Sequence, residues 1–540
     1  MALAVGDVHE AIAATRPDEE CLVFHDRRLT WADVTDRTRR LANYLHDRGL
    51  GCHTERSELA NWQSGQDHLA IYLYNGNEYL ESMLGAFKAR VAPFNVNYRY
   101  VADELIYLLN DARARAIVSH SAFAPLLDAV REHVPTLEVF LQVADDSGNG
   151  LLDGAVWYED ALATSSPERP PVCPSSDDLY ILYTGGTTGM PKGVLWRQGD
   201  AWVSCFGGSA DATTLEEAVA EASAPLRAVL APPFMHGAGH WMSMRTWNLG
   251  GTIFIQDVPE RLDPADLWGL IEREHLSFLL IVGDAFARPL LDELDRHVYD
   301  LTSLSVVLSG GAPLSAPLKD ELLSHLPALI IVDGLGSSEA GGQLAQVSAG
   351  GGATTGTFPW SDGNHVLSAD LDRVLEPGHD DLGWLAKSGR LALGYLDDQA
   401  KTERTYPVIA GVRYAVPGDR ARLRSDLHIE LHGRDSQTIN SGGEKIFAEE
   451  VEAAVKAHPG VYDCVVAGRP SERWGSEVIA IVRVRDTYTV TEADLLAEAE
   501  RHIARYKLPK AFVFVDEIVR SPSGKADYRW ARGIVSSARP

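Results

Sequence analysis

The chain has 540 residues, more than one ordinary domain, so at least two folding units are expected. Hydrophobic residues make up 45% of it, as in globular proteins, and 49 basic against 76 acidic residues make it strongly acidic. This charge argues against nucleic acid or an anionic membrane surface as the main partner. Anionic ligands would therefore bind at local basic patches.

The cysteines and the start of the chain indicate a compartment. Cys21, Cys52, Cys173, Cys205 and Cys464 are scattered without C-x-x-C spacing, which favours neither a zinc site nor a disulfide framework. The first 14 residues lack the basic segment of a signal peptide. No stretch of 18 apolar residues is free of charge, so no membrane-spanning helix is expected. A cytoplasmic location is predicted.

The first 120 residues alternate between helical and strand patterns. Residues 103–112 place leucines on one helical face after an acidic start, and residues 116–119 read as a strand. This alternation predicts an α/β architecture. Residues 52–68 are polar and are expected to form a surface insertion, and residues 145–178 are expected to form a loop.

A glycine- and threonine-rich loop follows a predicted buried strand at residues 179–183. Glycines let successive backbone N–H groups point into one concavity, which attracts anions. Hydroxyl groups and the charge of Lys192 would add to the attraction, so the loop is predicted to hold phosphate. Its residues are Thr184, Gly185, Gly186, Thr187, Thr188 and Gly189.

The loop has two other interpretations. A glycine–threonine cluster between strands can be a plain hairpin. A Walker P-loop needs a lysine directly after its last glycine and then a helix. Here Met190 and Pro191 intervene, and residues 194–196 look like another strand. Backbone and hydroxyl donors, rather than a helix dipole, would bind the phosphates.

Glycine-rich blocks recur downstream. Residues 231–239 contain His236 near apolar side chains, and residues 306–313 and 330–339 each read as a strand followed by a glycine turn. Past residue 433, a glycine loop at 440–446, a helix at 449–455, strands at 464–466 and 478–482, and a capping box at Thr491 predict a compact α+β module. Residues 521–525 then read Ser-Pro-Ser-Gly-Lys.

In order and spacing, these blocks resemble the adenylate-forming enzymes, which include acyl-CoA synthetases, firefly luciferase and peptide-synthetase adenylation domains. Their phosphate loop reads [YF]-T-S-G-[ST]-T-G-x-P-K-G, and Gly185 stands where serine is usual. The resemblance covers nearly the whole chain. It is strongest to actinobacterial acyl-CoA synthetases for fatty acids and steroid side-chain acids, through the strings at residues 183–189, 439–445 and 521–530.

The resemblance implies an α/β fold with two domains. Residues 1–433 would form the AMP-binding domain, built from layered α/β sheets and a distorted barrel. Residues 434–437 would form the hinge, with Ser436 as its pivot where the family commonly has aspartate or lysine. Residues 438–540 would form a mobile C-terminal α+β domain.

Nucleotide-binding positions carry over one by one. Asp419 would accept hydrogen bonds from the ribose hydroxyls, and Leu335 replaces the aromatic residue that usually stacks on adenine. Glu339 and Thr184 would bind Mg²⁺, because a hard cation prefers oxygen ligands. Together with Lys525 they are the predicted catalytic residues. The remaining predicted ATP and AMP contacts are Gly185, Gly186, Thr187, Thr188, Gly189, Lys192, Gly311, Ala312, Pro313, Asp333, Gly334, Gly336, Ser337, Ser338 and Arg434.

The implied reaction has two steps. A carboxylic acid attacks the α-phosphate of ATP to give an acyl-adenylate and pyrophosphate, while Lys525 neutralises charge. The thiol of CoA then forms the thioester and releases AMP. The acyl group would bind at Phe234, His236, Gly310 and Gly311, and CoA at Gly442, Gly443 and Lys445.

The predicted partners are a hydrophobic carboxylic acid, ATP, Mg²⁺ and CoA, with no nucleic acid and no transmembrane segment. A homodimer is one of the oligomeric states that the sequence allows. Two alternatives to a CoA ligase remain: an enzyme that loads a carrier protein from acyl-AMP, and a serine hydrolase on an α/β fold. The hydrolase is disfavoured because the sequence lacks a G-x-S-x-G elbow.

Overall fold

A computed structural model describes residues 3–184, 190–350, 352–441, 444–471 and 475–537. The helices are α1 Val5–Thr15, α2 Trp31–Asp47, α3 Asn77–Lys88, α4 Ala102–Asp111, α5 Ala124–Val130, α6 Tyr158–Ala163, α7 Gln198–Ser204, α8 Leu215–Glu221, α9 Gly237–Asn248, α10 Pro264–Glu274, α11 Gly283–Leu294, α12 Ala316–His325, α13 Gln399–Thr405, α14 Ala448–Lys456, α15 Glu492–Ala499 and α16 Tyr528–Ser537.

The strands are β1 Glu20–Phe24, β2 Arg27–Thr30, β3 His68–Tyr72, β4 Ala92–Asn95, β5 Ala114–His120, β6 Val139–Val143, β7 Val156–Trp157, β8 Leu179–Thr184, β9 Lys192–Arg197, β10 Arg227–Leu230, β11 Thr252–Ile255, β12 Phe278–Ile281, β13 Val306–Gly310, β14 Ile330–Ser337, β15 Gly341–Ser348, β16 Thr357–Pro359, β17 Asn364–Leu367, β18 Gly383–Ser388, β19 Gly394–Tyr395, β20 Val408–Ile409, β21 Val412–Ala415, β22 Asp419–Leu423, β23 His428–Arg434, β24 Thr438–Ser441, β25 Glu444–Phe447, β26 Val461–Ser471, β27 Gly475–Val484 and β28 Ala511–Phe514.

Two eight-stranded sheets form the bulk of the protein, in the orders β15-β14-β13-β12-β10-β11-β1-β2 and β19-β9-β8-β4-β3-β5-β6-β7. Their central strands are parallel, with antiparallel pairs toward the edges such as β14–β15 and β8–β9. Helices cover parallel strands on both faces, so these strands are mostly apolar. β12 and β3 are buried along their whole length for this reason. The predicted α/β architecture is confirmed.

The third sheet of the large domain is open. Its order is β16-β23-β22-β18-β21-β20, with β17 paired to β18. β16 and β20 end the order and do not pair with each other, so no closed barrel forms among the described strands. β16 ends at Pro359, which has no N–H to donate. The predicted distorted barrel is therefore corrected to an open antiparallel sheet.

The small domain follows the predicted hinge segment at residues 434–437. β24 and β25 form a hairpin, and β26-β27-β28 form a sheet packed against α14, α15 and α16. The capping box at Thr491 is present, because its hydroxyl accepts from the Asp494 N–H and its own N–H donates to the Asp494 carboxylate. The predicted α+β module is confirmed.

Two local predictions were wrong. Residues 145–178 contain β7 and α6, and Tyr158 of α6 is fully buried and donates to Glu81 at 3.0 Å. Residues 334–337 form a continuation of β14 instead of a glycine turn, because β15 supplies antiparallel partners for them.

Ionic and hydroxyl contacts hold the small domain against α11 of the large one. Lys456 Nζ lies 3.3 Å from Asp284 Oδ2, and the Tyr462 hydroxyl donates to Asp292 at 3.1 Å. Lys456 also lies 3.5 Å from Asp463, on its own domain. This arrangement brings the C-terminal residues 521–525 up to the large domain. Separately, none of the described helices is both long and apolar enough to cross a membrane.

Candidate active site

A cavity of about 1710 Å³ lies between the sheets of the large domain and the small domain. Residues from most of the predicted blocks, but none from the glycine loop at 440–446 that the structure describes, line it: Thr184, Lys192, His236, Gly310, Gly311, Gly334, Leu335, Gly336, Ser337, Ser338, Glu339, Arg434, Ser436 and Lys525. The structure thus brings together segments more than 300 residues apart in sequence.

The predicted phosphate loop connects two antiparallel strands. Thr184 ends β8 and pairs in register with Lys192, the first residue of β9, and a helix follows only at Gln198. Lys192 Nζ lies 3.8 Å from Asp398 and 4.0 Å from Asp111. Burial acts to lower the pKa of Lys192, but Asp111, Tyr107 and Asp398 together raise it. Lys192 is therefore a charged group that these carboxylates hold at the cavity wall.

Lys525 enters the cavity from the small domain. Its carbonyl accepts from the Ser521 N–H at 2.8 Å, which closes a tight turn in which Gly524 has φ +74°. A Cβ on Gly311 would lie 3.7 Å from Lys525 Cε. Loss of water around the ammonium group, and next the charge of Arg434, lower the pKa of Lys525 to about 8. Lys525 thus faces the Gly310–Gly311 segment.

Glu339 is oriented by a tyrosine. The Tyr395 hydroxyl donates to Glu339 Oε1 at 2.7 Å, and the Tyr406 hydroxyl donates to the Glu339 carbonyl at 3.3 Å. Burial, together with the negative charge of Glu339, raises the pKa of Tyr395, which keeps its hydroxyl protonated as a donor. The second carboxylate oxygen, Oε2, has no hydrogen-bond partner among the described residues.

This geometry fits a Mg²⁺ ion shared with substrate phosphates. The described residues contain no group of three or more His, Cys, Asp or Glu that could hold a metal by themselves. One carboxylate oxygen of Glu339 and the hydroxyl of Thr184 line the same cavity. Mg²⁺ usually binds through one or two carboxylates plus phosphate oxygens and water, so this sparse set suits it.

Asp419 and Arg434 form a pair at the lip of the cavity. They face each other across β22 and β23, and Arg434 Nε lies 3.3 Å from Asp419 Oδ1. Arg434 and the neighbouring Gly418 line the cavity, whereas Asp419 stands just behind them. The arginine therefore fixes the carboxylate that would accept hydrogen bonds from a ribose.

His236 lies directly before α9 and is half-buried in the cavity wall. Its Nε2 atom is buried without a hydrogen-bond partner among the described residues. Burial, and next the charge of Lys525, lower the pKa of His236 to about 3. The imidazole is therefore neutral, and its buried Nε2 atom is left without a partner among the described residues.

An apolar tunnel continues from His236 along α9. Side chains one helical turn apart on this helix line it, starting with Ala238 and followed by Trp241, Arg245 and Leu249. Strands β12 and β13 supply part of the opposite wall. The remaining apolar lining of this part of the cavity includes Leu182, Leu226, Met242, Phe278, Leu280, Val306 and Leu308.

Comparison with known proteins agrees with this geometry. Residues 9–396 match the AMP-binding enzyme family model, and residues 450–525 match the model of the AMP-binding enzyme C-terminal domain. The chain belongs to the AMP-binding enzyme family. Within this family it is an acyl-CoA synthetase, an AMP-forming acid–thiol ligase, as the sequence motifs predicted.

Its relatives cover its whole length. It is 53% identical over 538 residues to "Medium-chain acyl-CoA ligase Mig" of Mycobacterium avium, covering 98% of each chain. It is 38% identical to "3-oxocholest-4-en-26-oate--CoA ligase" of Rhodococcus rhodochrous, covering 98% of this chain and 96% of the relative. The anthranilate CoA ligase AuaEII, solved with anthranoyl-AMP, has the same fold at 20% identity, with a TM-score of 0.82 and coverage of 99% and 98%. These matches favour the adenylating enzyme over the hydrolase.

Some predicted residues lie outside the cavity wall. Phe234 does not line the cavity and packs edge-on against Tyr79, so the structure places it in the core beside the predicted acyl pocket. The Asp333 carboxylate pairs with the fully buried Lys319, which also donates to the Thr354 carbonyl. The Asp333 carboxylate therefore forms an ion pair beside the nucleotide site and does not line the cavity.

Three further predicted residues stand near the cavity. Ala312 and Pro313 lie behind Gly311, where the Pro313 carbonyl accepts from the Asp284 N–H at 3.1 Å. Lys445, predicted to contact CoA, lies 3.7 Å from Asp435 in the predicted hinge segment. The predicted residues Gly185, Gly186, Thr187, Thr188, Gly189, Gly442 and Gly443 lie outside the described residues.

Two residues of the site carried no predicted role. Tyr395 belongs to a Gly-Tyr pair at residues 394–395 that resembles a family motif, yet its contact with Glu339 spans 56 residues. Arg245 lies four positions after Trp241 on α9, and this helical spacing is a signal from which it could have been found.

Proposed function

We propose that the protein is a Mg²⁺-dependent acyl-CoA ligase that activates a hydrophobic carboxylic acid as its adenylate and transfers the acyl group to CoA. The observation that carries this proposal is the position of Lys525. It reaches the Gly310–Gly311 segment at the junction between the nucleotide part of the cavity and the apolar tunnel.

In the first step, the substrate carboxylate lies at the inner end of the tunnel and attacks the α-phosphate of ATP. A bond forms between carboxylate oxygen and phosphorus, and the bond to pyrophosphate breaks. Lys525 neutralises charge that shifts between these oxygens. Pyrophosphate leaves on the side of Thr184 and Lys192. Mg²⁺, bound by Glu339 and Thr184, would supply further neutralisation of phosphate charge.

Strands β22 and β23, at the mouth of the cavity, hold the ribose of the nucleotide. Asp419 accepts hydrogen bonds from the ribose hydroxyls, and Arg434 keeps it in place. The base lies against the backbone of residues 334–338 and the side chain of Leu335. In-line positioning of this kind accounts for most of the catalysis in phosphoryl and adenylyl transfer.

In the second step, the CoA thiol loses its proton and attacks the acyl carbonyl, and AMP leaves. The small domain, residues 438–540, turns about Ser436 in the hinge at residues 434–437. This motion withdraws Lys525 and brings Gly442, Gly443 and Lys445 toward the pantetheine. The AMP-binding domain at residues 1–433 stays in place. These boundaries and roles follow the family resemblance.

The substrate is a medium- or long-chain fatty acid or a steroid side-chain acid. The apolar walls around Trp241, Leu280 and Leu308 suit either, and the relatives carry both specificities in their names. Loading of a carrier protein from acyl-AMP is the second candidate. The five cysteines form no disulfide, which is consistent with our proposal of a cytoplasmic location.

Pyrophosphate release with ATP, Mg²⁺ and a panel of acids, measured with and without CoA, tests the proposal. The panel spans short and long fatty acids, aryl acids and steroid side-chain acids. CoA-dependent turnover with thioester formation is expected for hydrophobic acids. Pyrophosphate release without a CoA thioester would support the carrier-protein alternative, and turnover on none of these acids would contradict the proposed substrate class.

A further inference from the structure

Arg245 is an exposed, charged side chain on the cavity-lining face of α9. The face carries Ala238, Trp241, Arg245 and Leu249 in successive turns. At a rise of about 1.5 Å per residue, Arg245 lies about 12 Å along the axis from Gly237. Because Gly237 follows His236 at the inner end, Arg245 stands at the far end of the tunnel, at the reach of an extended medium-chain acid.

The aliphatic part of the Arg245 side chain packs against Gly207. A Cβ on Gly207 would lie 2.8 Å from Arg245 Cγ and 3.2 Å from its Nε, so only glycine admits the side chain here. Gly207 also has φ +66°, a conformation that favours glycine. The Asn248 amide donates to the Phe206 carbonyl at 2.8 Å and ties this loop to α9. The local structure therefore accommodates an arginine at this place.

The guanidinium has no partner in the protein. Arg245 forms no ion pair and no side-chain hydrogen bond with any residue in the described ranges. Of the cavity-lining residues close to Gly207 in the chain, Ser204 donates its hydroxyl to the Arg390 carbonyl at 2.8 Å, and Ala210 has no hydrogen-bonding atom in its side chain. The donors of Arg245 are thus available to a molecule that fills the tunnel, and a guanidinium binds carbonyl and carboxylate oxygens well.

We propose that Arg245 recognises an oxygen acceptor, a ketone or a carboxylate, at the end of the acid distal to the reacting carboxyl group. The substrate class is then an acid with an apolar body and two oxygen-bearing ends. This inference rests on the proposed function and deepens it. The name of the Rhodococcus relative's substrate, 3-oxocholest-4-en-26-oate, describes a molecule of this kind.

The test compares three acids of one chain length: decanoic acid, 9-oxodecanoic acid and decanedioic acid. The value of kcat/KM for thioester formation is measured with the wild type, Arg245→Leu and Arg245→Lys. Arg245→Leu is expected to lower kcat/KM about tenfold for the two oxygen-ended acids, mainly through KM, and to raise it for decanoic acid. Arg245→Lys should retain part of the preference for oxygen-ended acids over decanoic acid. The retained preference should be larger for decanedioic acid than for 9-oxodecanoic acid.

Arg296→Leu is the matched control. Arg296 is exposed, has no side-chain partner among the described residues and does not line the cavity. This variant should leave all three kcat/KM values as in the wild type. A change of the same sign and size for all three acids in Arg245→Leu would overturn the proposal, because a residue that only closes the tunnel would act on every chain alike.

Binding separates this inference from the proposed function. If the wild type formed no thioester from any of the three acids, the proposed function would fail. Calorimetric titration of the same acids into the ATP-free protein would then still decide the role of Arg245. Weaker binding of only the oxygen-ended acids in Arg245→Leu supports it, and equal binding of all three by both proteins overturns it.

Discussion

The Tyr395 hydroxyl lies 2.7 Å from Glu339 Oε1 and leaves the other oxygen of this carboxylate uncommitted among the described residues. This contact orients the carboxylate that is proposed to bind Mg²⁺. Residues that orient a metal ligand typically change metal affinity 10- to 100-fold when replaced. We therefore predict that Tyr395→Phe raises the Mg²⁺ concentration needed for half-maximal adenylation by about tenfold.

Tyr406→Phe is the control for this prediction, because the Tyr406 hydroxyl donates to the backbone carbonyl of Glu339 instead of the carboxylate. Mg²⁺ titration of pyrophosphate release in both variants is the measurement. An equal shift in the two variants would show that the hydrogen bond to the carboxylate is not what matters.

Lys525 predicts a pH dependence. Its pKa is lowered to about 8, first by loss of water and then by Arg434. The protonated form neutralises the transferring oxygens, so kcat/KM for adenylation is expected to fall as pH rises through about 8. Bound ATP adds negative charge beside the ammonium, so the same limb of kcat should lie at higher pH.

Lys525→Arg checks the assignment of this limb. A guanidinium stays charged throughout this range, so the variant should lose the basic limb while its maximal rate falls. Pyrophosphate release by both proteins, measured from pH 6 to pH 10, shows whether the basic limb belongs to Lys525. A basic limb that is unchanged in Lys525→Arg would assign it to another group.

The contact between Lys456 and Asp284 predicts an effect on one half-reaction. Lys456 is largely buried, and Asp284 Oδ2 lies 3.3 Å from its Nζ across the two domains. Asp284→Asn removes the charge but leaves Oδ1 to accept from the Ser315 N–H, as it does at 2.7 Å. A hydrogen bond to a charged group contributes about 1.5–3 kcal/mol, so adenylation should slow by about tenfold or more.

Thioester formation from preformed acyl-adenylate should be much less affected in Asp284→Asn, because that step is proposed to take place in another arrangement of the two domains. Asp292→Asn, which can still accept from Tyr462, serves as the control. Equal losses in both half-reactions of Asp284→Asn would indicate general destabilisation.

Replacing Leu335 by an aromatic residue is expected to raise the affinity for ATP. Leu335 lines the cavity where the family usually has an aromatic residue, and it packs against the core of the open sheet. Aromatic stacking contributes about 0.5–1.5 kcal/mol beyond the buried area. Leu335→Tyr should therefore lower KM for ATP by about threefold to tenfold, with KM for the acid unchanged. An unchanged KM for ATP would show that the base lies elsewhere.

Much of this site could be predicted from sequence because its residues sit in short motifs with fixed order. The structure brings Thr184, Glu339, Arg434 and Lys525 to one cavity, as expected. Phe234 shows where prediction of the site from sequence fails. It and Met235 are adjacent and both apolar, yet only Met235 lines the cavity. No local pattern states which of two neighbours in an irregular segment faces the ligand.

Contacts distant in sequence explain the other differences between the sequence-based expectations and the structure. The partner that engages Asp333, Lys319, comes from a helix on the preceding connection, and sequence offers no sign of the pairing. Helix α6 has 6 residues, too few to show helical periodicity, so residues 145–178 looked like a loop. The glycines at 334 and 336 indicate a turn locally, but pairing with β15 keeps them extended.

Lys525 allows the most direct test. Adenylation and thioester formation are measured separately for the wild type and Lys525→Ala, the first by pyrophosphate release and the second by CoA consumption with preformed acyl-adenylate. Lys525→Ala is predicted to lose adenylation by at least two orders of magnitude and to keep the thioester step near the wild-type rate. Equal loss of both steps, or unimpaired adenylation, would contradict the role assigned to Lys525.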